Sequence, residues 1–129
     1  YPHSEQIENF KTINTELTQR LHDKAYLNAY TYYKIGRYKS AIVSLKNALK
    51  QYPESSHREE IMYLIVDASY RFASNSVAEK QTDRYLAMLD SYLSFKEEFP
   101  ESKHIKEVDR MAQHARDYLA RNKQEDNNI

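Results

Sequence analysis

The 129-residue chain contains no cysteine, one glycine and three prolines. Absence of cysteine excludes disulfides and thiolate chemistry but leaves the compartment open, since exported proteins without cysteine exist. A single glycine cannot build a phosphate-cradling glycine loop. With so few prolines, it also leaves almost no turn chemistry for a β-protein. Neither charge sign dominates: nineteen basic and nineteen acidic residues cancel. Nucleic acid is therefore not an expected partner, and no basic face seeks a membrane. No run approaches the ~20 apolar residues of a membrane span, and no charged-then-apolar signal segment opens the chain. What remains is rich in Ala, Leu, Lys, Glu and Tyr, with 29% charged residues. That composition predicts an all-α fold.

The segment from Tyr26 to Pro53 carries a recognisable pattern. With Pro53 as the closing proline, Ala29 and Tyr32 fall on a first helix, Gly36 and Tyr38 at a turn, and Ala41, Leu45 and Ala48 on a second helix. The small Ala29, Ala41 and Ala48 let two antiparallel helices approach closely, and Tyr32, Tyr38 and Leu45 are expected to fill the space between them. This is the pattern of one tetratricopeptide repeat. Gly36 stands where a left-handed residue closes a helix without a Cβ penalty. The closing motif recurs as YPHS at Tyr1, YPES at Tyr52 and FPES at Phe99, its prolines 51 and then 47 residues apart. That spacing exceeds the usual ~34. In each copy an aromatic ends a helix, proline forbids continuation, and a serine is placed to cap the next helix. Three copies predict a solenoid of about five antiparallel helices. A closing motif at the very start predicts that the chain is a fragment of a longer protein, lacking at least one preceding helix pair.

Residues 4–34 contain no glycine or proline, and apolar residues recur at Ile7, Phe10, Ile13, Leu17, Leu21, Ala25, Ala29 and Tyr32. Steps of three and four throughout predict one long first helix, with a bend near His22 and Asp23 as an option. A second helix is expected over 38–51. Ser56 and Glu59 form a candidate capping box for a third, which carries Ile61, Leu64, Ile65, Ala68 and Phe72 and stops near Ser74. The stretch SNSVAEKQTD lacks an apolar stripe and reads as a long connection. A fourth helix follows over 83–98, with Tyr85, Met88, Leu89, Tyr92 and Phe95. Ser102 is expected to cap the last helix, which carries Ile105 through Leu119. The domain is expected to span 1–121, with a disordered tail over 122–129.

The run RLHDKAYLNAYTYYKIGRYKSA, followed by YPES, YLIVDASYRFA, NSVAEKQTDRY and FPESK, resembles the C-terminal half of the tetratricopeptide lipoproteins of the bacterial β-barrel assembly machinery, the BamD family. The likeness covers Tyr1 to about Leu119. It is sharpest from Arg20 and Leu21 through Tyr32, Tyr33 and Lys34 to Gly36, Tyr38 and Ala41. The resemblance implies a non-catalytic scaffold on the periplasmic face of the outer membrane, held there by an N-terminal lipid anchor absent from this sequence. It further implies docking of this half to periplasmic POTRA domains of the barrel assembly factor. Other assembly lipoproteins and unfolded barrel substrates are further implied partners. The alternative is a tetratricopeptide adaptor that binds a peptide terminus in its groove.

Candidate partner-binding residues follow from this reading. Arg20, in the long helix, offers a planar fork to a partner carboxylate. Lys34 and Arg37 flank the Gly36 turn, where they either face a partner or complement the helix C-terminus. Tyr26, Tyr30 and Tyr33 lie off the predicted inner stripe, unlike Tyr32, Tyr38, Tyr85 and Tyr92, and are candidates for contact. No enzyme is expected. The histidines His3, His22, His57, His104 and His114 include no pair three or four apart, so no helix face brings two imidazoles together for zinc. Glu59 with Glu60, and Glu97 with Glu98, point about 100° apart and cannot flank one substrate bond. No metal or cofactor is expected.

Overall fold

The computed structural model describes residues 2–127. Five α-helices follow one another: α1 (Pro2–Lys34), α2 (Tyr38–Gln51), α3 (Arg58–Ser74), α4 (Ala78–Glu98) and α5 (Ile105–Asn127). Each packs on the next, and α3 also touches α1 and α5. Helices α1, α3 and α5 thus form one layer, while α2 and α4 flank α3 on the other side without meeting. This is an all-α, tetratricopeptide-like solenoid with a long first helix, as expected.

Nothing interrupts α1 before Gly36, so helix propagation, which adds one hydrogen bond per residue fixed, continues for 33 residues. Gly36 then adopts φ +83°. Its N–H donates to the Tyr33 carbonyl at 3.1 Å and that of Arg37 to the Tyr32 carbonyl at 3.0 Å, the paired bonds of a Schellman closure. The chain reverses into α2. Ala29, Ala41 and Leu45 are fully buried and Ala48 nearly so, so the helices approach closely at the small residues. Tyr32 departs from expectation: it is 41% exposed. Tyr33 turns inward in its place and meets Tyr38 edge-on, with ring centroids 6.0 Å apart.

The two internal closing motifs build the same linker. Tyr52 and Phe99 each close a helix by donating an N–H to a carbonyl four residues back, Ala48 and Phe95. The following serine donates its N–H to that aromatic's carbonyl, Ser55 to Tyr52 and Ser102 to Phe99, both at 3.1 Å. Its Oγ then accepts the N–H of the residue two further on, His57 or His104, again at 3.1 Å. The expected capping box of Ser56 and Glu59 is therefore replaced by a serine turn at Ser55, one residue earlier. His57 stands at the N-cap with no side-chain cap bond. In the first motif Tyr1 lies outside the described residues, and Ser4 sits inside α1 rather than capping it.

The expected long connection at 74–83 is corrected to a turn at residues 75–77, with α4 beginning at Ala78. Its first turns lack an apolar stripe because they are exposed. Order comes from polar bonds that hydropathy does not register. Gln81 Nε2 donates to the terminal carbonyls of α3, Ala73 at 3.1 Å and Ser74 at 3.3 Å. Helix α5 runs to Asn127, past residue 121, and its last turns expose nearly every side chain. Residues 128 and 129 lie outside the described residues.

Helix α3 is buried continuously from Tyr63 to Ser69. A helix apolar nearly all round is one that neighbours cover over most of its surface, and α3 packs against four. It bonds to α4 at its start, where Arg58 makes a two-pronged contact to Glu98 at 2.8 and 2.9 Å.

At Gly36 a built Cβ would meet nothing within 4 Å, so the cost of substitution there is conformational alone. Gly36→Ala should lower unfolding free energy by about 1–2 kcal/mol, the penalty of a left-handed L-residue, as read by urea denaturation followed by circular dichroism.

Candidate partner-binding surface

The six sequence candidates divide between a seam and a free face. Tyr26 and Tyr33 belong to the seam between α1 and α3. The Tyr26 ring stacks on the His57 imidazole at 4.5 Å and 6°. His57 Nε2 donates to Asp23 Oδ1 at 2.6 Å, one turn before Tyr26 on α1. Further along, Tyr33 OH donates to Asp67 Oδ1 at 2.8 Å. The carboxyl of Asp67 is 1% exposed and also accepts from Arg71 Nε at 2.6 Å. Burial, then the bond to Asp67, pushes the Tyr33 hydroxyl pKa well up; the Asp67 carboxylate also holds the Arg71 guanidinium protonated.

The second seam, between α3 and α5, repeats this device. His104 stacks on Tyr63 at 3.7 Å and 7°, and its Nε2 donates to Glu60 Oε2 at 2.9 Å. Tyr70 OH is bonded to His114 Nδ1 at 2.9 Å, as Tyr33 is to Asp67. Bonded residues stand 34 apart in the chain at the first seam and 44 apart at the second. Helix α4, longer than α2, and the further run of α3 beyond its seam residues take up the difference. Sequence reading missed the roles of His57, His104 and Asp67. The available signal was the recurrence of histidine two residues after the serine in YPES and FPES.

The remaining candidates are exposed. Arg20 and Lys34 lie on one line of α1, with Leu27 midway at seven-residue spacing, and Tyr30 stands one turn before Lys34. Arg37 is exposed beyond the turn. Tyr52, at the end of α2, packs its ring 4.7 Å from His22, so α1 N-terminal to His22 extends past α2. Every residue from His3 to Leu21 is exposed, over roughly 28 Å at 1.5 Å per residue. Within that length Ile7, Phe10, Ile13, Leu17 and Leu21 are each more than half exposed, Phe10 by 72%. Arg20 flanks this stripe. The arrangement has the anatomy of an interface, an apolar centre with an arginine at its rim. Leu27, 56% exposed, was not singled out in the sequence because it lies off the inner stripe.

Among the described residues no group of three or more His, Cys, Asp or Glu side chains could hold a metal ion, and no helix is long and apolar enough to cross a membrane. The molecule is a helical repeat protein with an exposed apolar stripe along α1. The family model described as YfiO, outer membrane lipoprotein, matches residues 3–125, and the chain belongs to that family. Its members are non-enzymatic lipoproteins of outer-membrane assembly. No curated protein matches the chain.

Two outcomes test the first seam and the α4–α5 contact, in which Tyr92 OH donates to Asp109 Oδ1. Tyr33→Phe leaves the buried Asp67 carboxylate short of a donor and should cost about 1–3 kcal/mol, read by thermal and urea unfolding. Asp23 and Asp109 are held below their ordinary value of 3.8, first by bonds from His57 and Tyr92 respectively. A carboxylate depressed in the folded state stabilises the fold above its unfolded pKa, and that contribution fades as pH falls through the lower, folded value. Stability should therefore drop below about pH 4, and Asp109→Asn should flatten that acid limb in melts taken between about pH 2 and 6.

Proposed function

We propose that this chain is a non-catalytic scaffold module for the assembly and insertion of β-barrel proteins into the bacterial outer membrane, docking to periplasmic POTRA domains of the barrel assembly factor. Its place would be the periplasmic face of the outer membrane, through a lipid anchor. Family membership supports the setting. The observation that carries the docking reading is the exposed line of α1 on which Arg20, Leu27 and Lys34 stand, with Tyr30 one turn before Lys34. Such a face supplies the two things a stable interface needs: apolar area to desolvate and an arginine able to take a carboxylate bidentately.

The test is a calorimetric titration with the membrane-proximal POTRA domain of the matching assembly factor. Saturable binding is expected, weakened roughly tenfold by Arg20→Ala, the loss of about 1.4 kcal/mol that one arginine anchor gives. Absence of binding at low and at physiological salt, by a protein with full helical circular dichroism, would overturn the assignment.

A further inference from the structure

A second surface lies on the other side of α3, where α2 and α4 flank it without meeting. Three clefts of about 400, 140 and 300 Å³ adjoin there. The first two share Phe72 and Arg84, and the last two share Lys46 and Ser91, so they form one groove. Its floor is a single stripe of α3: Met62, Ile65, Ser69 and Phe72. At 1.5 Å per residue that stripe is roughly 15 Å long. Ile42 and Leu49 of α2 form one wall and Ala87 of α4 part of the other.

The groove is electrostatically polar. At one end stand Arg37, Lys39 and Arg84, with no acidic residue among the groups lining that cleft. The Arg84 guanidinium lies 4.0 Å over the Phe72 ring and donates to Ser76 Oγ, which fixes its position in the groove. The first turn of α2 opens on the same end. Arg37, at its N-cap, supplies no side-chain cap bond, so the first amides of α2 add to the positive end. At the far end Lys46 and Asp90 oppose one another in sign.

We propose that this groove binds a short apolar segment of another protein that carries carboxylates at one end. The acids lie against Arg37, Lys39 and Arg84, and the apolar side chains lie over Phe72 and Met62, beside Ile42 and Leu49. Charge complementarity fixes the direction of the segment, and the apolar floor supplies the area it covers. Of the six sequence candidates Arg37 alone lines the groove. The proposal does not rest on docking through α1, whose titration reads a different face.

The experiment is an amide ¹H–¹⁵N NMR titration with two probe peptides of alternating leucine and alanine, both amidated, one ending in two aspartates and the other in two lysines. The aspartate probe should shift the amides of Tyr38, Lys39, Ser40, Phe72 and Arg84, with a dissociation constant at least tenfold lower than that of the lysine probe. Lys39→Glu, at an exposed position, should erase that preference, and Ala87→Glu on the exposed wall should weaken the aspartate probe severalfold. Equal binding of both probes, shifts centred on α1, or indifference to both variants would overturn the proposal.

Discussion

The imidazole held between a tyrosine ring and a carboxylate is the contact on which the solenoid depends. At each seam a histidine from the linker lies flat on a tyrosine of the preceding first-layer helix and donates to an acid one turn earlier on that helix, His57 to Asp23 and His104 to Glu60. A stack fixes the plane of the ring, and the hydrogen bond fixes its rotation within that plane. Together they set how one helix pair sits on the next. Because each histidine follows a serine turn that has just closed the preceding helix, the same few residues end one repeat and orient its successor. The phenol bonds further along, Tyr33 to Asp67 and Tyr70 to His114, are second points of attachment and oppose rotation about the first.

Helix α3 takes part in both seams and packs against all four other helices, so it is the structural centre. The two edges of the solenoid differ. Helix α5 buries Val108, Met111, Ala112 and Ala115 and turns a polar face outward. At the opposite edge α1 leaves its apolar stripe uncovered. The two outer helices thus differ in character, polar on the outer face of α5 and apolar along α1.

Much of the architecture was legible because it is written in local chemistry. Gly36, Pro53 and Pro100 punctuate the chain unambiguously, and the alanines at the α1–α2 crossing mark a close approach that the structure contains. Elements ordered by polar bonds were not legible. The start of α4 shows no apolar periodicity, and the side chain that ties it down, Gln81, bonds to carbonyls that only the fold brings near. The seams were hidden for a similar reason. A tyrosine and an acid one turn apart on one helix and a histidine from a distant linker carry no joint signature until the two linkers are seen to share one hydrogen-bond pattern. The exposure of Leu27 and inward turn of Tyr33 depended on where α3 lies, which spacing along α1 alone does not specify. Residues 122–127 are all polar, which reads as disorder, yet their Lys, Gln and Glu are compatible with continuing an existing helix.

Native-state amide hydrogen exchange tests the central claim most directly, that the two seams make both repeats one cooperative unit around α3. The account predicts that amides of residues 61–73 exchange most slowly, that those in the buried parts of α2 and α4 open with the same free energy, and that residues 3–21 of α1 exchange fastest. Separate opening of the α1–α2 pair and the α4–α5 pair, each at a free energy well below that of α3, would contradict it.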